Sequence, residues 1–282
     1  IPLSELGGIV TKTVTLHPRS GNPPPRVTET PSGMLNAIAL QNVGVEAFCS
    51  DKLPYLTGLG LPVLVSVMGH TVEDLCAVVR RVCMQPSLAA RVGFELNLSC
   101  PNVAYADERM FSHDPELVGG AVEAVRAETD RPVVAKLSPE VPDVAVYAIA
   151  AEQSGADAVT VMNTITGMVV DIHTRRPVLS NVTGGLSGPA VLPIAVRQVF
   201  QAARAVKIPV LGVGGVRSAD DALQMIIAGA AAVQVGTASF VDPAVALEVR
   251  DGIADYVRRE GGCLGTLIGS LCVGKEAAFY EG

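Results

Sequence analysis

The segment Phe94-Glu95-Leu96-Asn97-Leu98-Ser99-Cys100-Pro101-Asn102 is an apolar run that ends abruptly in an amide, a hydroxyl, a thiol, a proline and a second amide. A strand built only to fill a core has no use for such an ending. Proline has no N–H to donate, so it stops a sheet ladder, and the residues after Leu98 belong to a strand end or a loop. A thiol between two carboxamides in that place suits proton transfer beside a hydrogen-bonding bed for a small polar ligand. The ordinary fate of cysteine is inert burial. Against it stand the strand-end position and the polar neighbours of Cys100, where a thiol serves as base or nucleophile if its pKa falls near the working pH. The loop from Val103 to Asp114 is placed to fold over it as a lid.

Lysine is scarce, and two of the few, Lys12 and Lys136, interrupt the apolar runs Ile9-Val10-Thr11-Lys12 and Val133-Val134-Ala135-Lys136. Burying an unpaired ammonium is expensive. The plain reading is a lysine snorkelling at a strand end. Anionic or electron-rich ligand atoms explain both positions better, with a Schiff base as a lesser alternative. Gly212-Val-Gly-Gly215 precedes a helix start at Ser218, and Gly236-Thr237 ends the last apolar run. Glycines let backbone N–H groups approach anionic oxygens, and a helix N-terminus favours negative charge. Gly184-Gly-Leu-Ser-Gly188 reads as a flexible segment, able to approach a cofactor or to act as a plain linker.

These residues must be held by something, and the chain supplies a regular scaffold. Short β-branched runs near Gly8–Thr15, Pro62–Met68, Gly93–Leu98, Pro132–Leu137, Ala158–Met162, Pro209–Val213 and Ala232–Val235 alternate with segments of helical period, such as Val72, Leu75, Cys76, Val79 and Val82. Thr71-Val-Glu-Asp74 and Ser218-Ala-Asp-Asp221 have the pattern of helix-start capping boxes. Continuous apolar strands separated by helices imply a parallel sheet covered by helices. The expected fold is α/β, a TIM (β/α)8 barrel whose first strand is expected to lie outside this chain, because seven strands are readable and eight are needed. In such a barrel the polar strand ends Lys12-Thr13, Ser66, Asn97–Asn102, Lys136, Asn163-Thr164, Gly214-Gly215 and Gly236-Thr237 converge on one face. The regions Leu16–Met34 and Thr166–Leu192 interrupt the rhythm and read as long functional loops.

Composition narrows the function. The 282 residues fit one large domain, taken as residues 1–282. A formal charge of −7 argues against nonspecific nucleic-acid binding. No apolar run is long enough to span a membrane. Cys49, Cys76, Cys83, Cys100, Cys263 and Cys272 fit no zinc or iron–sulfur spacing and no disulfide framework, which points to a reducing cytoplasm. Cys76 and Cys83 are expected as small core residues. His17, His70, His113 and His173 have no metal spacing.

The whole pattern resembles the class 1B dihydroorotate dehydrogenases, in their catalytic, FMN-carrying subunit. The resemblance rests on Thr11-Lys12-Thr13, Pro18-Arg-Ser-Gly-Asn-Pro23 with Pro25-Arg26, Asn36-Ala-Ile-Ala-Leu-Gln-Asn42, Asn97 to Asn102, Val134-Ala-Lys136, Asn163-Thr164, Gly184 to Gly188 and Gly214-Gly215, in that order along the chain. It implies oxidation of dihydroorotate to orotate in pyrimidine synthesis. Cys100 would take a proton, and a hydride would pass to FMN. Lys12, Asn36, Ala37, Ile38, Ala39, Leu40, Asn97, Asn163 and Thr164 would line the substrate. Lys12, Thr13, Ser66, Asn97, Lys136, Met162, Gly188, Gly214, Gly215, Gly236 and Thr237 would hold FMN. The resemblance also implies a partner subunit carrying FAD and a 2Fe–2S cluster that passes electrons to NAD, and a homodimer within a heterotetramer.

Three departures stand out. The family's first strand, with its Ala-Ser-Gly flavin contact, has no counterpart here, which could abolish FMN binding. Ser66 stands where an asparagine is usual, and Ala39 where glycine is common. Other readings are a dihydropyrimidine dehydrogenase-type enzyme acting on uracil or thymine, a lysine-dependent aldolase or phosphosugar isomerase on the same barrel, and a non-catalytic barrel that only scaffolds a partner.

Overall fold

The computed structural model describes residues 1–86, 88, 91–99, 111 and 114–274. The strands are β1 (Ile9–Val10), β2 (Val27–Thr30), β3 (Gly33–Asn36), β4 (Val63–Val67), β5 (Val92–Asn97), β6 (Val133–Lys136), β7 (Ala158–Val161), β8 (Ile165–Gly167), β9 (Val170–Asp171), β10 (Arg176–Pro177), β11 (Gly184–Ser187), β12 (Val210–Val213) and β13 (Ala232–Gln234). The helices are α1 (Gly44–Ala47), α2 (Leu53–Gly58), α3 (Val72–Cys83), α4 (Pro115–Glu128), α5 (Val144–Gln153), α6 (Leu192–Ala205), α7 (Ala219–Ala228), α8 (Val245–Glu260) and α9 (Leu264–Leu267).

All seven strands expected from the apolar runs pair in one parallel sheet, in the order β1-β4-β5-β6-β7-β12-β13. Helices lie between them in sequence, as parallel pairing requires. Every residue of β5 is buried, because helices cover one face and the barrel interior the other. The sheet curls strongly. In the sheet order β13 lies four places from β5, which in a flat sheet would separate them by roughly 19 Å. Yet Gln234 of β13 donates from Nε2 to Oε2 of Glu95 on β5 at 3.0 Å. The strands therefore wrap around a shared interior, as a (β/α) barrel demands.

The helix starts follow local chemistry. Thr71 Oγ1 accepts from the Asp74 N–H, and Ser218 Oγ from the Asp221 N–H, each at 3.2 Å. The aspartates reach back to the N–H groups of His70 and Arg217. The N-cap half of each predicted capping box is formed, while the aspartates bond the residue before the N-cap rather than the N-cap itself.

Three expectations need correction. The run Gly8–Thr15 forms only the two-residue strand β1, followed by an isolated bridge from Val14 to Val67. The supposed loops Leu16–Met34 and Thr166–Leu192 hold β2, the start of β3 and β8 to β11, and an antiparallel sheet of order β2-β3-β11-β8 joins them. Gly184–Gly188 is not a flexible segment, since its first four residues are β11, paired on both sides. Its glycines serve close approach: a Cβ on Gly185 would stand 2.1 Å from Thr164 Oγ1. Pairs of short, half-exposed strands from distant parts of the chain leave little periodicity to read.

Candidate functional site

The C-terminal ends of the parallel strands carry an interlocked set of polar side chains. Thr13 and Ser66 hydroxyls share a hydrogen bond of 2.9 Å, and Asn97 Nδ2 donates to Thr13 Oγ1 at 3.1 Å. Asn163 Nδ2 faces Asn97 Oδ1 at 3.1 Å, the Ser99 carbonyl at 3.1 Å and Ser99 Oγ at 2.9 Å. Asn163 Oδ1 accepts from the Thr164 N–H at 2.8 Å. Thr13, Ser66, Asn97 and Ser99 are all buried. Each amide is thereby held in one orientation before any ligand arrives. The Ser66 hydroxyl is engaged with Thr13.

One layer deeper lies a charged group. Glu95 precedes Asn97 by two residues on β5, so their side chains face the same interior. Glu95 has no exposed surface. Its carboxylate accepts from Thr160 Oγ1 at 2.8 Å and Gln234 Nε2 at 3.0 Å, and it meets Lys136 Nζ at 3.4 Å. Lys136 ends β6, as expected for a lysine at a strand end. Lys12 differs: it lies beyond β1, is exposed, and lines an open hollow of about 540 Å³ with Ile9, Val10, Arg19, Phe48 and Leu56.

The glycines converge. A Cβ on Gly215 would stand 2.8 Å from Leu192 and 3.0 Å from the Gly188 carbonyl, and one on Gly188 would come within 3.6 Å of the Thr237 methyl. Thr237 Oγ1 donates to or accepts from Ser187 Oγ at 2.8 Å. Gly188, Gly214 and Gly215 all have positive φ. The N–H groups of Gly188, Gly214, Gly215 and Gly236 have no hydrogen-bond partner among the described residues. Clustered unpaired N–H groups beside the start of a helix form a cradle for an anion. Met162 is buried beside them, and its N–H donates to the Val213 carbonyl.

The antiparallel sheet adds the last group. Asn36 ends β3, and its Nδ2 reaches the Gly185 carbonyl at 3.5 Å. Ala37 is fully buried, and the Ile38 carbonyl accepts from the Asn22 N–H. Ala39 and Leu40 both adopt left-handed backbone, with φ of 58° and 60°. That conformation gives glycine a natural advantage at position 39.

Cys100 and the segment expected to cover it, apart from Phe111 and Asp114, lie outside the described residues. The chain enters that segment from Ser99, whose hydroxyl and carbonyl are both fixed by Asn163. Glu95, Thr160 and Gln234 were not singled out from the sequence. The signal was present as one polar residue inside each of three apolar strands, and period-two alternation through Asn97 points to Glu95. No cluster of three metal-ligating side chains exists among the described residues. No helix there is long and apolar enough to cross a membrane.

Comparison with known proteins agrees with this geometry. The family model described as dihydroorotate dehydrogenase matches residues 1–257. A protein of Trichlorobacter lovleyi named dihydroorotate dehydrogenase B (NAD(+)), catalytic subunit, is 49% identical over 272 residues, covering 96% of this chain and 88% of the relative. Proteins of the same name from Pelobacter propionicus and Geobacter sulfurreducens are 47% and 48% identical, over 96% and 93% of this chain and 88% and 84% of their own lengths.

Proposed function

The chain belongs to the dihydroorotate dehydrogenase family, and from that premise we propose that it oxidises (S)-dihydroorotate to orotate in de novo pyrimidine synthesis, as one FMN-binding barrel domain. FMN, when bound, supplies the hydride acceptor. The residues present fit it. Gly188, Gly214, Gly215, Gly236 and Thr237 offer unpaired N–H groups and a hydroxyl to its phosphate. Lys136 offers a cation to the flavin's electron-rich edge, with Thr13, Ser66, Asn97, Met162 and Lys12 as further contacts.

The substrate's amide and carboxylate edges are held by Asn36, Asn97, Asn163 and Thr164, with Lys12 and the Ala37–Leu40 turn beside them. Cys100, as thiolate, takes the proton from the carbon next to the one that loses hydride. Asn163 orients this centre twice, once through Asn97 and once through Ser99, the residue before Cys100. That double grip is the observation that supports the proposal, because it presets the amide of Asn163 against Asn97 and Ser99, the residue that precedes Cys100 in the sequence. The electrons leave through a cytoplasmic partner subunit carrying FAD and a 2Fe–2S cluster, which passes them to NAD, in a heterotetramer built on a homodimer.

The test compares two substrates under steady-state turnover with an artificial electron acceptor. Dihydroorotate is expected to be oxidised far faster than dihydrouracil, and Asn163→Ala to raise KM for dihydroorotate at least tenfold, on the scale of about 1–3 kcal/mol for an unpaired buried polar group. Preference for dihydrouracil would move the chain to the pyrimidine-degrading relatives.

A further inference from the structure

Glu95 has no part in the reaction just described, yet it is the charged group most deeply enclosed by the barrel. The Glu95–Lys136 contact is the most buried ion pair among the described residues, with side chains 1% and 20% exposed. A buried pair of this kind adds little to stability, because desolvation offsets attraction. Neutral residues could fill the same volume at no loss. The carboxylate is also anchored from two further strands, by Thr160 on β7 and Gln234 on β13. Those anchors leave it one direction in which to act, toward the Lys136 ammonium at the end of β6. Lys136 in turn stands beside Asn97 in the register of the sheet, and so borders the amide network.

We infer that Glu95 is a positioning residue that acts through Lys136, holding its ammonium against the barrel floor and offsetting part of its charge where the flavin is reduced. The inference rests on the FMN reading. Reduction adds negative charge to the flavin, and a nearby uncompensated cation favours the reduced form. Glu95 therefore restrains the site's oxidising power, and Lys136 supplies it.

Two readouts separate this role from a merely structural one. The first is the flavin midpoint potential, measured by redox titration of the purified holoenzyme. Glu95→Gln is expected to shift it to a more positive value and Lys136→Gln to a more negative one. The second needs no flavin. Acetylation of Lys136 in the apoprotein, read by peptide mass spectrometry against Lys52 and Lys207, is expected to run several-fold faster in Glu95→Gln than in the wild type. Should Glu95→Gln fail to fold, Thr160→Val removes one anchor of the carboxylate without changing charge, and it is expected to raise Lys136 acetylation. An unchanged potential in a fully loaded Glu95→Gln enzyme would overturn the inference. So would equal acetylation of Lys136 with and without the carboxylate or its anchor. A wild-type chain that binds no FMN would sink the flavin reading itself, and the acetylation result would still decide whether Glu95 holds Lys136.

Discussion

At the scale of single residues, the site depends on groups whose conformation or protonation the fold has already chosen. Gly215 adopts a φ of 81°, and a Cβ there would stand 2.8 Å from the Leu192 nitrogen and Cβ. Gly215→Ala is expected to lose about 1–3 kcal/mol from backbone strain, and to weaken FMN binding in a fluorescence titration of the apoprotein. Wild-type affinity and melting temperature in that variant would count against the glycine cradle. The thiols behave differently. Burial pushes the Cys49 and Cys76 thiols up, so the fold favours their neutral forms. Their contribution to stability is complete below the ordinary thiol range and is lost as pH rises through the raised values. At neutral pH both are expected to resist iodoacetamide while exposed Cys263 and Cys272 react, as peptide mass spectrometry would show. Melting temperature is expected to fall as pH climbs above that range.

At the scale of elements, the chain was most legible where one physical demand set the pattern. Buried parallel strands need continuous apolar runs, and six of the seven were readable to within one residue, β1 being the exception. Helix starts need a side-chain acceptor, and Thr71 and Ser218 supply it. Thr71→Ala and Ser218→Ala are each expected to lower stability by about 1 kcal/mol, checked by urea unfolding, with little change in FMN affinity. The antiparallel sheet over the mouth was not legible. Its strands draw on Val27–Asn36 and Ile165–Ser187, and their pairing is decided by tertiary contact. The clearest case is β11, where the same glycines that suggest flexibility permit the close packing of Thr164 and Asn36. Among the site residues, Asn97, Asn163, Lys136 and the glycine pairs were legible as polar endings of apolar runs. Glu95, Thr160 and Gln234 each showed only as one polar residue within a strand, and the curl of the sheet that brings them together is not written in any one of those strands. Lys12 lies two residues beyond the end of β1, so its apolar neighbours placed it less closely than those of Lys136 did.

At the scale of the whole molecule, the curl turns seven separate strand ends into one site. Residues from Thr13 to Thr237, far apart in sequence, meet on the same face, and family membership across residues 1–257 fits that arrangement. The central claim is that this face joins a thiol base, an amide bed and a flavin acting on dihydroorotate. The most direct measurement is an anaerobic titration of the purified protein with dihydroorotate, following flavin absorbance, for the wild type and for Cys100→Ser. The account predicts a yellow protein that bleaches on addition of dihydroorotate, with bleaching slowed by about 100-fold or more in the variant, the scale of a lost general base. A colourless protein, or a flavin that dihydroorotate leaves oxidised, would contradict it.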